Sequence, residues 1–525
     1  MKRYNYRNTI IGSMALAVCA LSFTGCTGRF EEFNTNPYAP TPDQMLGDNA
    51  ATASLIRNMI PALVQGQQNN SQMIDQMVGS EYGGCISCIN PWGNSGNFYT
   101  LNPRIGWVGS PFDTSMPQIY SSYFQIRELT EGSGVVFAWA QLLRIAGTLK
   151  MSDIYGPQPY TKVTGSEYSV AYDDMETLYT AMFADLDEVI TTLRGAVLSG
   201  SDFSSLKDAD IVFSGDFTKW VKFANTLKLR MAMRISGVKP ELAKQKAEEA
   251  VADAVGCMSA ATDAAWSSYN DGMNPYYRAG ETWNGGEFRI SANITSYLGG
   301  YADPRLSLYA TATSSGTYNG VRNGIYQSSA SFAAYQEFSH ANIGMTENLL
   351  IMSASEAYFL RAEGALNGWA MGGTAQDLYE EGVRVAMAER GATIGDYLAC
   401  TSAPADYVDS YTSSNNKPAM TSVAPAWDNA ASTEENRERI LIQKWIANYP
   451  NGWEAWADAR RTGYPKFFPV VNNLNTDGVT ASRGMRRVPF SQKEYQTNVE
   501  NINQAVTLLG GADTGATDLW WAKKN

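Results

Sequence analysis

The chain holds a single histidine, His340, in 525 residues. A Ser–His–Asp or Cys–His mechanism would have that one side chain to use, and a metal site built on several imidazoles has too few. Set in "SHANIG", it reads as a loop residue or a satisfied core residue. A basic excess is missing too: 40 Lys and Arg stand against 52 Asp and Glu, for a formal charge of −12. Nucleic-acid binders neutralise phosphates with Lys and Arg, so this balance argues against a nucleic-acid partner. It also disfavours a body lying flat on an anionic membrane. The chain has no GxSxG, no HExxH, no P-loop and no dinucleotide fingerprint. Cysteine is scarce, and only Cys85, Cys88, Cys257 and Cys400 lie beyond residue 26. The "CISC" spacing at 85–88 fits a thiol–disulfide motif or half a zinc site, but the other two cysteines show no paired spacing. A local disulfide or two reduced thiols is the plainer reading in an exported chain.

Long apolar runs are also absent. The uncharged stretch Ile10–Phe23 is shorter than the ~20 residues a membrane span needs, and nothing after residue 25 approaches that length. Lys2, Arg3 and Arg7 precede it, which is the layout of an export signal. Thr24 and Gly25 then lead to Cys26, a sequence that looks like a bacterial lipobox, with Phe23 standing where Leu is usual. Residues 1–25 are therefore expected to be a lipoprotein signal, with lipid on the new N-terminal Cys26. The arm 26–44 holds Asn34, Asn36, Pro37 and Pro40, which favour turns and extended chain, and reads as a tether. One acyl chain binds a membrane only marginally, so a stable anchor needs more than one. Loss of Lys2, Arg3 and Arg7 takes the formal charge of the mature chain from −12 to −15.

Hydrophobic residues make up 44% of the chain, enough for a large core. Several segments carry them at helical spacing. "LYTAMFADLDEVITTLR" places Leu178, Met182, Leu186, Val189 and Leu193 on one stripe, and "WVKFANTLKLRMAMRIS" spaces Phe223, Leu227, Met231 and Ile235 by four. "AWAQLLRIAGTLK" does the same with Trp139, Leu142, Leu143, Ala146 and Leu149. "ASEAYFLRAEGALNGWA" and "DLYEEGVRVAMAER" form a helix pair broken at Gly372 and Gly373. "ENRERILIQKWIANY" stops at Pro450, Asn451 and Gly452 before "GWEAWADARRTGYP". Amphipathic helices with short breaks suggest stacked helical hairpins of tetratricopeptide type, although no strict 34-residue repeat is visible. The expected fold is mainly α, with such hairpins within about 120–255 and 345–465 of a single body, 45–525. They carry a large irregular, loop-rich region with few short strands.

The loops hold the chemistry. Residues 81–109 and 266–291 are long, aromatic and rich in Gly, Asn and Ser; 392–430 and 472–487 are further long breaks. Loops of that length in a compact protein are functional or disordered, and abundant Trp and Tyr argue against disorder. A sugar ring shows a face of C–H groups that an indole or phenol can stack on, while Asn, Gln and Arg bond its hydroxyls. Trp92, Asn94, Tyr99 and Trp107 supply that set in the first loop. Tyr269, Asn270, Tyr276, Tyr277, Arg278 and Trp283 supply it in the second. Glu356 and Glu363 sit seven apart on one helix face, where binding Arg or capping another helix is the expected use. Asp458 and Arg461, at i and i+3, read as a structural ion pair. Asn-rich and acidic loops could supply oxygen ligands to structural calcium, but no twelve-residue EF-hand loop is visible; no cofactor is expected.

Taken together, "SDIYGPQPYTK" (152–162), "FTKWVKFANTLKLRMAMRIS" (217–236), "ADPRLSLY" (302–309), "SEAYFLRAEGALNGW" (355–369), "IQKWIANYPNGWEAWADARRTGYP" (442–465), "RRVPFSQKEYQTN" (486–498) and "DLWWAKK" (518–524) closely resemble, in wording and order, the SusD/RagB family of surface lipoproteins. The resemblance runs from Cys26 to the C-terminus, with "EAWADARRTGYP" its most specific part. It implies a non-catalytic protein, anchored in the outer membrane by lipid (palmitate among it) on Cys26. Such a protein faces the cell exterior and acts as a hinged lid on a SusC-like TonB-dependent transporter. Glu31 and Glu32 resemble the family's acidic surface-sorting signal. The implied cargo is an oligosaccharide, or peptides in some branches; a surface glycoside hydrolase is the competing class. Family sites use an aromatic arc, and Trp92 and Trp283 occupy the corresponding loop regions. The "EAW" and "RRTGYP" segments look structural in the family, and "CISC" departs from its pattern.

Overall fold

A computed structural model describes residues 50–90, 97–167, 169–269 and 272–523. Cys26, Trp92, Asn94 and Asn270 lie outside the described residues, as do the signal and tether segments. The α-helices of nine or more residues, in chain order, are α1 (Ala50–Met59), α2 (Ser110–Leu129), α3 (Gly134–Tyr155), α4 (Met175–Leu198), α5 (Phe217–Ile235), α6 (Pro240–Val251), α7 (Ala292–Gly300), α8 (Ser355–Leu366), α9 (Ala375–Glu389), α10 (Thr433–Asn448), α11 (Trp453–Thr462) and α12 (Val499–Leu509). None is long and apolar enough to cross a membrane.

The stripes read from the sequence become the buried faces. Asp174 starts α4 by accepting a hydrogen bond from the Thr177 backbone N–H, and Leu178, Met182, Leu186, Val189 and Leu193 are all buried. Asp216 caps α5 in the same way, and Phe223, Leu227, Met231 and Ile235 are each at most 1% exposed. Each such side chain contributes about 1.5–3 kcal/mol by leaving water. Helices α2 to α6 pack each on the next as successive hairpins; α8 packs on α9, α10 and α5, and α10 leads into α11. The fold is thus helical hairpins of tetratricopeptide type, as expected. Helix α2 buries Phe112, Met116, Ile119, Tyr123 and Ile126 along one face and carries Pro117 in its interior, whose missing N–H leaves the Asp113 carbonyl without its helical donor.

Charged side chains lock the two sets of hairpins together. Glu356 on α8 accepts from Nε and Nη2 of Arg230 on α5 at 2.7 and 2.9 Å. Seven residues on, Glu363 takes the two Nη groups of Arg461 at 2.7 and 2.8 Å. Burial pushes the Glu363 carboxyl up, but Arg461 and Arg437 outweigh it and hold the group at about 2. Arg234, 1% exposed at its side chain, joins Asp153 of α3 at 3.0 Å to Glu454 of α11 at 2.7 Å. Lys444 on α10 closes the cluster on Glu454 and Asp458 at 3.1 and 2.9 Å. The Asp458–Arg461 pair forms at 3.0 Å.

Strands are few and short among the described residues. β1 (Ile86–Cys88) pairs antiparallel with β3 (Phe288–Ile290), and β2 (Ala265–Ser267) with β4 (Leu349–Met352). The first pair has the register Ile86↔Ile290, Ser87↔Arg289 and Cys88↔Phe288, and it sews the 81–109 loop to the 266–291 loop.

Candidate functional site

The β1–β3 ladder runs past its last strand residue. Ile89 and Asn90 donate their backbone N–H groups to Glu287 O at 2.9 and 3.3 Å. The Glu287 carboxylate, in a residue 2% exposed, accepts from Asn90 Nδ2 at 3.2 Å, from Asn284 Nδ2 at 2.5 Å and from Gln72 Nε2. One buried acid therefore orients three amides at the end of the ladder. Beside them the chain turns through Asn284, Gly285 and Gly286 at φ of +50°, +82° and +91°. A side chain at Gly286 would put its Cβ 2.5 Å from Gly280 O, so the turn closes only with glycine there. That turn displays Trp283, 38% exposed and the most exposed tryptophan among the described residues.

A second chain segment reaches the same place. Gln327 Nε2 donates to Cys88 O at 3.1 Å. The Tyr99 hydroxyl lies 2.6 Å from Gln327 Oε1 and 2.9 Å from Asn90 O, sharing one proton between them. Tyr326, next to Gln327, is 69% exposed. An exposed indole, an exposed phenol and oriented amides, on chain segments joined by these bonds, are the components of a platform for a neutral, hydroxyl-rich ring.

The other sequence-predicted residues divide by position. Tyr99 is buried, its hydroxyl committed as above. Tyr276 is buried as well, edge-on to Phe288, and donates to Ser80 Oγ at 2.8 Å, which donates on to Pro450 O at 2.6 Å. Both are positioned to support the rim from beneath. Tyr269 is half-buried, its hydroxyl donating to Met345 O at 2.9 Å. Trp107 is half-buried with the Arg104 guanidinium 4.6 Å from its ring centre. Tyr277, also half-buried, lines an open groove of about 430 Å³ with Glu281, Asn342 and His340. His340 has partners at both nitrogens, Glu281 Oε1 at 2.8 Å and Gln336 O at 3.3 Å. Tyr326, Gln327 and Asn90 were not singled out from the sequence. The available signal was an aromatic set among Gly324, Gln327, Ser328 and Ser329, shorter than the loops that drew notice.

Cys85 and Cys88 are buried and free. Burial pushes the Cys85 thiol up to about 12 and the Cys88 thiol well above its ordinary value, which withholds the thiolate that redox exchange needs. Among the described residues no group of three or more His, Cys, Asp or Glu side chains is placed to hold a metal ion.

A separate cavity of about 640 Å³ opens between the start of the 81–109 loop, α11 with the chain after it, and residues 481–486. Glu81 borders it, 4% exposed, accepting from Asn323 Nδ2 at 2.8 Å and from Cys88 N at 3.1 Å. Burial outweighs both bonds and pushes the carboxyl from 4.5 up to about 8. A raised folded-state value favours the protonated form, so this contribution is complete below pH 4.5 and is lost as pH rises to about 8. Urea midpoints are expected to fall across that window, with at most about 5 kcal/mol riding on this group. Glu81→Gln should flatten the slope while lowering the midpoint at pH 5, because the amide has one acceptor oxygen for the two donors, Asn323 Nδ2 and the Cys88 N–H. An unchanged slope would refute the assignment.

Comparison with known families matches residues 32–522 to a model described as SusD-like: SusD and RagB outer membrane lipoprotein. A solved SusD-like protein from Bacteroides thetaiotaomicron is 39% identical with a TM-score of 0.86, covering 90% of this chain and 99% of its own. A chitin-binding SusD homologue from Flavobacterium johnsoniae is 35% identical with a TM-score of 0.85, covering 92% and 99%. A SusD homologue from Bacteroides uniformis is 36% identical with a TM-score of 0.83, covering 90% and 99%. No curated protein sequence matches the chain.

Proposed function

Since the chain belongs to the SusD/RagB family of outer membrane lipoproteins, we propose that it is a cell-surface lipoprotein that captures oligosaccharides at the Trp283 rim and passes them to a TonB-dependent transporter. As its family does, it binds rather than turns over its ligand. Lipid on Cys26 holds it to the membrane, with the arm 26–44 as the tether. Trp92 and Asn94, which follow Asn90 in the chain, are the further ligand-binding candidates. The observation that carries this reading is the exposed indole of Trp283, held on a turn that only glycine can close, beside amides oriented by one buried acid.

A sugar face stacked on an indole leaves water on both sides, and each 1.4 kcal/mol lost is a factor of ten in affinity. The Flavobacterium johnsoniae relative makes chitooligosaccharides the first probes. On cells, the wild-type chain should bind a labelled oligomer and co-purify with the transporter. Trp283→Ala should stay in the outer membrane but bind about tenfold more weakly or worse. Cys26→Ser should be lost from the membrane fraction. Peptides retained in place of every glycan tested, or a Trp283→Ala variant with full affinity, would overturn the proposal.

A further inference from the structure

The cavity between the first loop and α11 has a charge balance that the glycan rim does not explain. Its volume, about 640 Å³, falls within the range of small-molecule sites. Arg460, Lys466, Arg483 and Arg486 line it, against two acids, Glu81 and Asp518. Asp518 serves both Arg486 and Arg483, at 2.5 and 2.8 Å. Lys466 turns to Glu438, outside the lining, at 2.8 Å. Glu81, with its carboxyl raised to about 8, is protonated at neutral pH. Three arginines, Arg460, Arg483 and Arg486, therefore face one carboxylate.

Arg460 is the sharpest case. It is 3% exposed and has no carboxylate within ion-pair distance among the described residues. Its nitrogens donate only to main-chain oxygens: Nη1 to Asp153 O at 2.6 Å and Arg486 O at 3.0 Å, and Nε to Trp456 O at 3.1 Å. The nearby Asp153 carboxylate is taken by Arg234. Arg460 Nη2 has no partner, and neither does the buried hydroxyl of Tyr82 on the same lining. The guanidinium carbon lies 3.6 Å from the Trp456 ring centre and 4.9 Å from that of Trp521, so indoles cover its faces while its charge has no carboxylate. The rest of the wall is flat and aromatic: Tyr82, Phe98, Phe467 and Phe468.

We propose that this cavity is a second binding site, independent of the Trp283 rim, for a small molecule bearing a carboxylate on a six-membered ring. The carboxylate supplies the missing counter-ion at the arginine side, and the ring lies against the aromatic wall. Glucuronate and benzoate test the hydroxylated and the apolar form of that chemistry, with glucose and benzyl alcohol as their uncharged counterparts. By calorimetry on the full chain in detergent at pH 7, at least one acid should bind ten times more tightly than its counterpart. Ser482 is exposed on the cavity lining and stands at its mouth, and Arg483 is largely exposed beside it. Ser482→Trp should block the acid, and Arg483→Glu should weaken it at least fivefold. Both should leave chitooligosaccharide affinity unchanged, and Trp283→Ala should leave acid binding unchanged. No acid bound at millimolar concentration, equal binding of acid and counterpart, binding that survives Ser482→Trp, or binding lost with Trp283→Ala would each overturn the proposal.

Discussion

Replacing Arg234 by alanine is expected to lower the unfolding free energy by about 3–5 kcal/mol. The side chain is 1% exposed and lies between Asp153 at 3.0 Å, Glu454 at 2.7 Å and Asp458 at 3.8 Å, with the Trp521 ring 5.3 Å from its guanidinium carbon. Truncation leaves those carboxylates in the same low-dielectric interior with one cation fewer. The loss comes mainly from the stranded acids, not from the missing arginine. Arg234→Met, which fills the space but carries no charge, should therefore be nearly as damaging. Adding Glu454→Gln to Arg234→Met should recover part of the loss, since it removes one stranded acid, and the double-mutant cycle measures how much. Stabilities of whole domains are about 5–15 kcal/mol, so the single variant should show a large drop in urea midpoint. A drop below about 1 kcal/mol would mean that the cluster is hydrated and not the clamp described.

The second large effect is steric. Where the π-helical stretch Gln72–Ser80 gives way to the first loop, its backbone touches the turn before α11 from both sides. A Cβ at Gly83 would lie 2.2 Å from Gly452 O, and a Cβ at Gly452 would lie 2.3 Å from Gly79 O. Gly452 has φ −86°, so any residue could adopt its conformation; the exclusion is purely one of space. Main chain cannot swing aside as a side chain can. Gly83→Ala and Gly452→Ala are expected to cost more than about 4 kcal/mol each, at the far end of single-residue effects. Gly106→Ala is the control, with nothing within 4 Å of the added carbon, and should be neutral within about 1 kcal/mol. Equal melting temperatures for Gly83→Ala and Gly106→Ala would show that the two backbones do not meet.

The helical frame was legible because packing enforces it locally. Leu178 through Leu193 and Phe223 through Ile235 must repeat near 3.6 residues to face one core, and a sequence cannot hide that period. The strands were not legible. β1 and β3 are three residues each, and their pairing is set by contacts across 200 residues of chain. The aromatic loops were found as regions, but their residues could not be sorted. Tyr276 and Trp283 have similar composition around them, yet one is drawn under the surface by Ser80 and Phe288 while the other is left out by three left-handed residues. The 640 Å³ cavity went unseen for a related reason. Trp456 and Arg460 lie in the segments read as structural, Lys466 follows directly after them, and companions come from residues 81–101 and 481–486. Arg460 looks like any helix-end arginine until its neighbours' commitments are known.

Cys85 and Cys88 give that hidden floor a clock. With both thiols shut away at the β1–β3 seam, a maleimide reaches them only while that seam is parted. In a chain carrying Cys257→Ser and Cys400→Ser, which removes the two partly exposed thiols, the label gained per hour at Cys85 and Cys88 counts how often the ground beneath the rim opens, and tightly held cargo should slow the count.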